Sequence, residues 1–411
     1  MTAETYTVDL KDPALFSDFR DLSLKVRKRP LVLFFGRPTF SDNTKYLFLS
    51  CIQTSPGFEV MWCTWDKALH ETLRHHQLPS ILMSENIKDT VDLLLEAAAA
   101  VFCENTASAY MALPVVKGCL EGAKKIQLWH GISVKHLDLM LTRKMNLLDR
   151  NLRQNTIGAT DFDFIASSSA ALDPFWYRAF GSRNILRVGQ PRNEVLVRNA
   201  DDNEFIGAIL SPEEQEPFAA GAPKFLIAPT WQRNKPLWTS SDQFYGALET
   251  IGLQSNCYFY IKQHPFLANR PGSNQSTQKY RHVIFMSPSI DIYPWMRHFS
   301  ALITDYSSIM FDFLLTGKPV LTYSIPASQR LSFEPDYSLV PDIAFSYAFD
   351  EESFAPILAH ALNEHPMRDK QRAMCDALYE TDPSESCNKL NRFLEECVSE
   401  NINKPVSIYN L

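Results

Sequence analysis

Residues 301–323 read ALITDYSSIMFDFLLTGKPVLTY, and this stretch restricts the chain to a narrow set of folds. Ala301, Leu302 and Ile303 make a short apolar run fit for a buried strand. Thr304, Asp305 and Tyr306 are polar and turn-prone. Ser307 and Ser308 then open a helix with Met310, Phe311, Phe313, Leu314 and Leu315 at its apolar positions. Gly317 and Pro319 end it, and Val320 to Tyr323 is the next strand. Such a unit aims the free N–H groups of a helix start at the edge of a parallel sheet, a place that favours an anion and phosphate most of all. The two serine hydroxyls add donors. Asp312, four residues after Ser308, shares its helix face one turn further in. A carboxylate there suits a neighbouring ribose or polyol hydroxyl rather than the phosphate itself. The segment reads either as a site for a nucleotide diphosphate carrying a hydroxylated cargo, or as an ordinary capped helix, because serine is common at helix starts.

The length of 411 residues favours two or three domains, and the hydrophobic fraction of 45% is that of a globular protein. A formal charge of −7 argues against a general nucleic-acid binder, which carries a basic excess. The eight cysteines are scattered with no CxxC pair, so neither a zinc site nor a redox motif is expected, and we read them as reduced thiols of a cytoplasmic protein. The polar, acidic start MTAETYTVDLKDP is not a signal peptide. The longest apolar run, Leu93 to Phe102, contains Glu96 and is too short for a bilayer span. No metal site and no cofactor are expected.

Apolar runs alternate with helical patterns along the whole chain. Residues 31–36 (LVLFFG), 57–62, 101–103, 125–129, 164–166 and 185–188 read as strands in the first half, and Lys88 to Ala100 as a helix. Between Asn199 and Pro223 six acids sit among proline, alanine and glycine, which marks a boundary. A second series follows at 225–228, 258–262, 283–285, 301–303 and 320–323. The pattern predicts an α/β protein of two doubly wound, Rossmann-like domains with a cleft between them. The expected divisions are residues 1–199, 200–385, and a helical tail, 386–411, packing back on the first domain.

Most polar motifs fall just after a strand, where ligands bind in open α/β sheets. His130, in QLWHG, is a candidate general base or a hydrogen-bonded structural histidine. Thr230, in APTW, can donate to a phosphate or simply belong to a turn fixed by Pro229. Lys262 and His264, in IKQHP, can place donors or positive charge at a diphosphate, or belong to a loop locked by Pro265. Arg192, in GQPRN, suits a phosphate clamp or equally a surface or interdomain ion pair. Asn43 and Lys45 could hold an acceptor, with a helix cap at Asp42 as the plainer reading. Asp305 joins the candidate ligand-binding residues through its place in the turn before Ser307 and Ser308. Residues 134–153 are amphipathic with a basic side, fit for an anionic membrane face, a polyanionic acceptor or plain solvent. Asp161-Phe162-Asp163 precedes a strand instead of ending one and is discounted as a metal-binding DxD.

In order, FSDNTKYLF, QLWHG, FDFIASSS, GQPRNEVL, APTWQ, IKQHP, DIYPWM and ITDYSSIMFDF resemble the motif series of the CDP-glycerol glycerophosphotransferase family, over about residues 31 to 325. These enzymes prime and polymerise teichoic acids and related capsule polymers. The resemblance implies a GT-B architecture that binds a CDP-polyol donor in the second domain and passes its polyol phosphate to an acceptor hydroxyl with loss of CMP. It implies His130 as the base and His264 as an assistant at the phosphorus. Ser307 and Ser308 would bind the diphosphate and Asp312 a cargo or ribose hydroxyl, with Thr230 and Arg192 as weaker carry-overs. The implied acceptor is a lipid-linked or polymeric saccharide or polyol phosphate, and the implied location the cytoplasm, with peripheral contact at the membrane's inner face. The chain departs from the family pattern at Ile132-Ser133 after WHG, where Thr-Pro is usual, and at Gln232, where Arg is usual. A CDP-ribitol transferase, a UDP-sugar transferase or epimerase on the same fold, and a non-catalytic binder of anionic polymer are the competing readings.

Overall fold

Short runs that are apolar on both faces belong in parallel sheets covered by helices. The computed structural model describes residues 12–54, 57–83, 88–111, 113–132, 134, 160–182, 184–230, 239, 241–262, 279–325, 337–342, 344–350 and 352–404. In the first half, β1 (Arg29–Phe35), β2 (Glu59–Thr64), β3 (Ser80–Leu82), β4 (Ala97–Phe102), β5 (Lys124–Gln127), β6 (Phe164–Ser167) and β7 (Ile185–Arg187) form a parallel sheet in the order β3-β2-β1-β4-β5-β6-β7. In the second half, β8 (Lys224–Ile227), β9 (Tyr258–Lys262), β10 (Val283–Met286), β11 (Ala301–Thr304), β12 (Val320–Tyr323) and β13 (Tyr347–Phe349) form another in the order β10-β9-β8-β11-β12-β13. Both sheets are doubly wound. The strand order reverses between β1 and β4 in one and between β8 and β11 in the other, and each reversal opens a crevice beyond the carboxyl ends of those strands.

One element differs in kind from its sequence reading. The helix Lys88–Glu96 stops before the four alanines, and Ala97–Phe102 is a fully buried strand beside β1. Alanine's helix preference is worth only tenths of a kcal/mol per residue, and burial on both faces outweighs it. Small side chains let the covering helix approach closely. Asn401 donates to the Ala98 carbonyl at 2.8 Å and to that of Gly122 at 2.9 Å. The short edge strands β3 and β13 carry too little pattern to be read from the sequence.

The acidic stretch 199–223 is ordered rather than a bare linker. It holds a 3-10 turn, Asp202–Phe205, and a helix, Pro212–Ala219, each closed by a capping box (Asp201 with Glu204, Ser211 with Glu214). The final helix, Ser386–Ile402, lies on the first sheet. Leu390, Leu394 and Val398 join Val32, Phe34 and Leu47 in one core. A second apolar cluster crosses between the halves, from Trp129, Ile132 and Trp176 to Leu226, Met310 and Phe311. All eight cysteines are free thiols, seven of them buried. No helix among the described residues is long and apolar enough to cross a membrane.

Candidate active site

Consecutive strand ends bring the polar motifs together. Gly36 and Arg37 follow β1, Cys103 and Glu104 follow β4, and Trp129-His130-Gly131 follow β5. From the other half, Thr230 follows β8 and Asp305 to Ser308 follow β11.

The turn that carries His130 is strained and clamped. Trp129 adopts φ +54° and Gly131 φ +114°, so His130 sits between two left-handed residues. An aromatic residue there is uncommon and persists only when its surroundings hold it. Gln127 Oε1 accepts from the Trp129 N–H at 2.9 Å, and Asn43 Nδ2 donates to the Trp129 carbonyl at 2.9 Å. His130 stacks on the Trp129 ring at 4.1 Å, and its Nδ1 lies 3.2 Å from the Cys103 carbonyl. A carbonyl only accepts, so Nδ1 carries the proton and Nε2 keeps a free lone pair. Burial, reinforced by Arg37 and Arg192 and opposed by Asp42 and the Cys103 carbonyl, holds the imidazole down at about 3. The ring is therefore neutral near pH 7.

Gly131 packs between Arg192 and the serine helix of the second half. A Cβ at this position would run into Arg192 Nη2 and come within 3.6 Å of Ser308 Oγ. Only glycine permits that contact at φ +114°. Ser307 and Ser308 are half-buried, and Ser308 precedes the short helix Ile309–Phe313 without a side-chain cap of its own. Among the described residues neither hydroxyl makes a hydrogen bond, so both remain available at the helix start. The helix tightens into a 3-10 turn, Leu314–Thr316, and stops at Gly317 with φ +67°.

Asp312 has a different role from the one its spacing suggests. It is fully buried and receives four donors: Arg192 Nη2 at 2.7 Å and Tyr293 OH at 2.6 Å on Oδ2, Asn193 Nδ2 at 3.3 Å and Tyr379 OH at 2.9 Å on Oδ1. A carboxylate offers about four acceptor sites, so no lone pair remains for a cargo or ribose hydroxyl. Arg192 forms an ion pair between the two halves rather than a free phosphate clamp. Its Nη1 donates to Asp42 Oδ1 at 2.8 Å, its Nη2 to Asp312 and, at 2.9 Å, to the His130 carbonyl, and its face lies 4.7 Å over Tyr293.

Asn43 and Lys45 are likewise corrected, because both are completely buried. Asn43 pins the Trp129 carbonyl and accepts from the Arg192 N–H at 3.2 Å, so it positions the His130 loop instead of holding an acceptor. Lys45 Nζ donates to Asp291 Oδ2 at 2.8 Å and to the Glu204 carbonyl at 2.6 Å, a second buried link between the halves. Thr230 and Asp305 are committed to each other. The Thr230 N–H donates to both Asp305 oxygens at 3.0 and 2.9 Å and its hydroxyl donates to the same carboxylate, which ties β8 to β11 below the serine helix.

Lys262 remains open to a ligand. Its ammonium donates to the Pro288 carbonyl at 3.0 Å, and burial, opposed by Asp291 and reinforced by Arg37, lowers it to about 8. His264, Gln232 and all of 134–153 except buried Val134 lie outside the described residues. Asp161 and Asp163 are structural: Asp161 takes the Lys125 ammonium at 2.6 Å, and Asp163 accepts the Lys125 N–H at 2.8 Å.

Sequence reasoning passed over Arg37, Gln127, Glu104, Tyr293 and Tyr379. Arg37 and Glu104 occupy the same strand-end position that singled out His130, and that signal was available. Tyr379 lies 67 residues beyond Asp312, and nothing in the sequence connects them.

The profile of CDP-Glycerol:Poly(glycerophosphate) glycerophosphotransferase matches residues 19–394. A teichoic acid poly(glycerol phosphate) polymerase of Staphylococcus epidermidis is 22% identical over 334 residues, which are 75% of this chain and 42% of that protein. A teichoic acid ribitol-phosphate polymerase of Staphylococcus aureus is 24% identical over 349 residues, 80% of this chain and 62% of that one. The chain thus spans less than two thirds of either relative. A solved wall teichoic acid polymerase, TagF, superposes with a TM-score of 0.72 over 96% of this chain and 94% of that one at 18% identity, a likeness of fold. With the motif order, both sheets and nearly the whole length matched, the chain belongs to the CDP-glycerol:poly(glycerophosphate) glycerophosphotransferase family.

Proposed function

We propose that this chain transfers a polyol-phosphate unit from a CDP-polyol to an acceptor hydroxyl and releases CMP. The observation that carries the reading is the contact at Gly131: a neutral imidazole from the first half stands one residue from a backbone position that faces Ser308 Oγ of the second. The acceptor O–H gives its proton to His130 Nε2. Its oxygen forms a bond to the phosphorus that bears the polyol. The bond from that phosphorus to the CMP oxygen breaks, and its electron pair leaves with CMP. Phosphoryl transfer of this kind depends on positioning and on fixed donors facing the developing charge. The Ser307 and Ser308 hydroxyls and the N–H groups at their helix start would supply those donors, with the Lys262 ammonium at the end of β9 as a further cation.

A dianionic donor raises the affinity of a neighbouring imidazole for a proton, so a base held at about 3 in the free protein becomes stronger once the diphosphate is bound. Glycerol is the donor polyol we favour, from the family matched; ribitol is the alternative, since one relative is a ribitol-phosphate polymerase. A polymeric or lipid-linked saccharide or polyol phosphate would be the acceptor, reached from the cytoplasmic side of a membrane. The test is CMP release from CDP-glycerol and CDP-ribitol over a panel of acceptors, with products identified by mass spectrometry. Polyol-phosphate adducts are expected with one donor preferred. Silence from every CDP-polyol and acceptor, with tight binding of UDP in place of CDP by calorimetry, would overturn the reading.

A further inference from the structure

A cluster of positive charge lies at the end of the second sheet opposite the proposed reaction. Lys224 opens β8, Arg297 and His298 stand just before β11, and Lys318 stands just before β12. These strands are neighbours in the order β8-β11-β12, so their amino-terminal ends bring the four side chains together. β8 and β11 are four residues each, which leaves about 13 Å of sheet between the cluster and the serine helix.

Among the described residues, no carboxylate pairs with any of the four. Lys224 is only 6% exposed, yet its ammonium meets carbonyls alone, that of Ala222 at 2.6 Å and that of Pro217 at 3.4 Å. Lys318 likewise donates to the Arg297 and Phe299 carbonyls, the latter at 2.7 Å. Arg297 Nη1 donates to Asn199 Oδ1 at 2.7 Å, and its Nε and Nη2 make no hydrogen bond among the described residues. The His298 ring is exposed and makes none there either. It stands edge-on to Phe218 at 6.5 Å, the same ring over which Lys224 Nζ lies at 5.1 Å. The helix that carries Phe218 also carries Glu213, Glu214 and Glu216, but Glu214 folds back to the Ser211 N–H and none of the three forms an ion pair with the cluster. Buried charge without a counter-charge is costly, and here the cations also oppose one another. Burial first, then Arg297, Lys318 and Lys224, lowers the His298 imidazole, and burial, then Arg297 and Lys224, lowers the Lys318 ammonium. An anion among them reverses that effect.

From this arrangement we propose a binding site for a phosphate group, formed by Arg297, His298, Lys318 and Lys224 and separate from the crevice where transfer is proposed. The two unused donor nitrogens of Arg297 match two phosphate oxygens. Lys318 has a third N–H beyond its two carbonyls, protonated His298 adds another donor, and Lys224 contributes charge. The phosphate is either free in solution or carried on the headgroup of an anionic lipid.

The experiment follows the His298 ring by NMR, identified by the peak missing from His298→Asn. Inorganic phosphate, pyrophosphate, dihexanoyl phosphatidylglycerol below its micelle concentration and dihexanoyl phosphatidylcholine are titrated in turn, with excess CDP to occupy the crevice and ionic strength held with chloride. In chloride alone the ring should titrate below the ordinary imidazole value. The bound phosphate should raise that midpoint, and Arg297→Gln should weaken its binding about tenfold or more, the scale of a charge-assisted contact. A response to the free phosphates identifies a solution anion. A response to phosphatidylglycerol, without one to free phosphate or to phosphatidylcholine, identifies a lipid headgroup. Either sustains the site, and the unaltered chain decides by itself if the variant fails to fold. A midpoint unmoved by all four compounds, an equal response to the two lipids without one to free phosphate, or unchanged affinity in Arg297→Gln would overturn it.

Discussion

Arg192 Nη2 lies 2.7 Å from Asp312 Oδ2 and, with the same nitrogen, donates to the His130 carbonyl. One guanidinium thereby ties the loop of the candidate base to the helix that starts at Ser308. Its other nitrogen holds Asp42, so a buried link runs from the loop after β1 to the second half. The distance between His130 and the helix start at Ser308 is set by this buried pair.

Removing one partner of that pair should be costly. Arg192→Ala or Asp312→Ala leaves a buried charge without its counterpart, and each is expected to destabilise the chain by about 3–5 kcal/mol. The double variant should lose less than the sum, because the two act as a unit. Denaturant unfolding of the four proteins measures this directly, and additive losses would show that the residues stabilise the chain separately.

His130→Ala should lower turnover by about 10²–10⁴-fold, the usual contribution of a positioned general base. Nucleotide affinity, measured by calorimetry with CDP, should change little, because the serine helix lies on the other half. A variant that loses binding and turnover together would point to a structural histidine instead.

Gly131→Ala places a methyl group against Arg192 at a backbone angle that alanine resists. The expected loss is about 1–3 kcal/mol of stability from backbone strain. A larger fall in turnover than in donor affinity should accompany it, since the displaced guanidinium nitrogen also holds the His130 carbonyl and Asp312. Thermal melting and steady-state kinetics on the same protein separate the two effects.

The His130 ring should not titrate between pH 5 and 8 in the free protein, because burial first, and the nearby arginines next, hold it down to about 3. In the unfolded chain an imidazole takes up its proton near 6.5. Between those values the unfolded state binds the extra proton, so this group's contribution to folding is complete above about pH 6.5 and is lost as pH falls toward 3. Histidine ring resonances, assigned by the peak missing from His130→Asn, would show a flat line across that range. A midpoint near 6.5 would mean that the site is open to water.

Gln127 and Asn43 grip the Trp129 N–H and the Trp129 carbonyl, and both should act by positioning. Asn43→Ala is expected to cut kcat with KM for the donor held within a few fold. Nitrogen NMR of the His130 ring reports whether Nδ1 still carries the proton. A retained tautomer and retained kcat would show the clamp to be dispensable.

The sequence by itself determined the doubly wound architecture and the strand ends. Runs such as LVLFF and ALIT are apolar on both faces, and that pattern is local and survives without any neighbour in view. It also located the loop of His130 and the helix start at Ser307 and Ser308, because a glycine or a turn beside a strand is equally local. Ala97 to Phe102 escaped, since alanine's own preference is helical and only burial in the middle of a sheet reverses it. Tertiary structure alone decided which polar residues are spent and which are free. Asp312, Asn43, Thr230 and Asp305 carry the right chemistry for a ligand, but partners up to 149 residues away in the chain, as Arg192 is from Asn43, occupy their hydrogen-bonding capacity. A side chain's type is written in the sequence; its vacancy depends on which distant donors the fold brings within 3 Å.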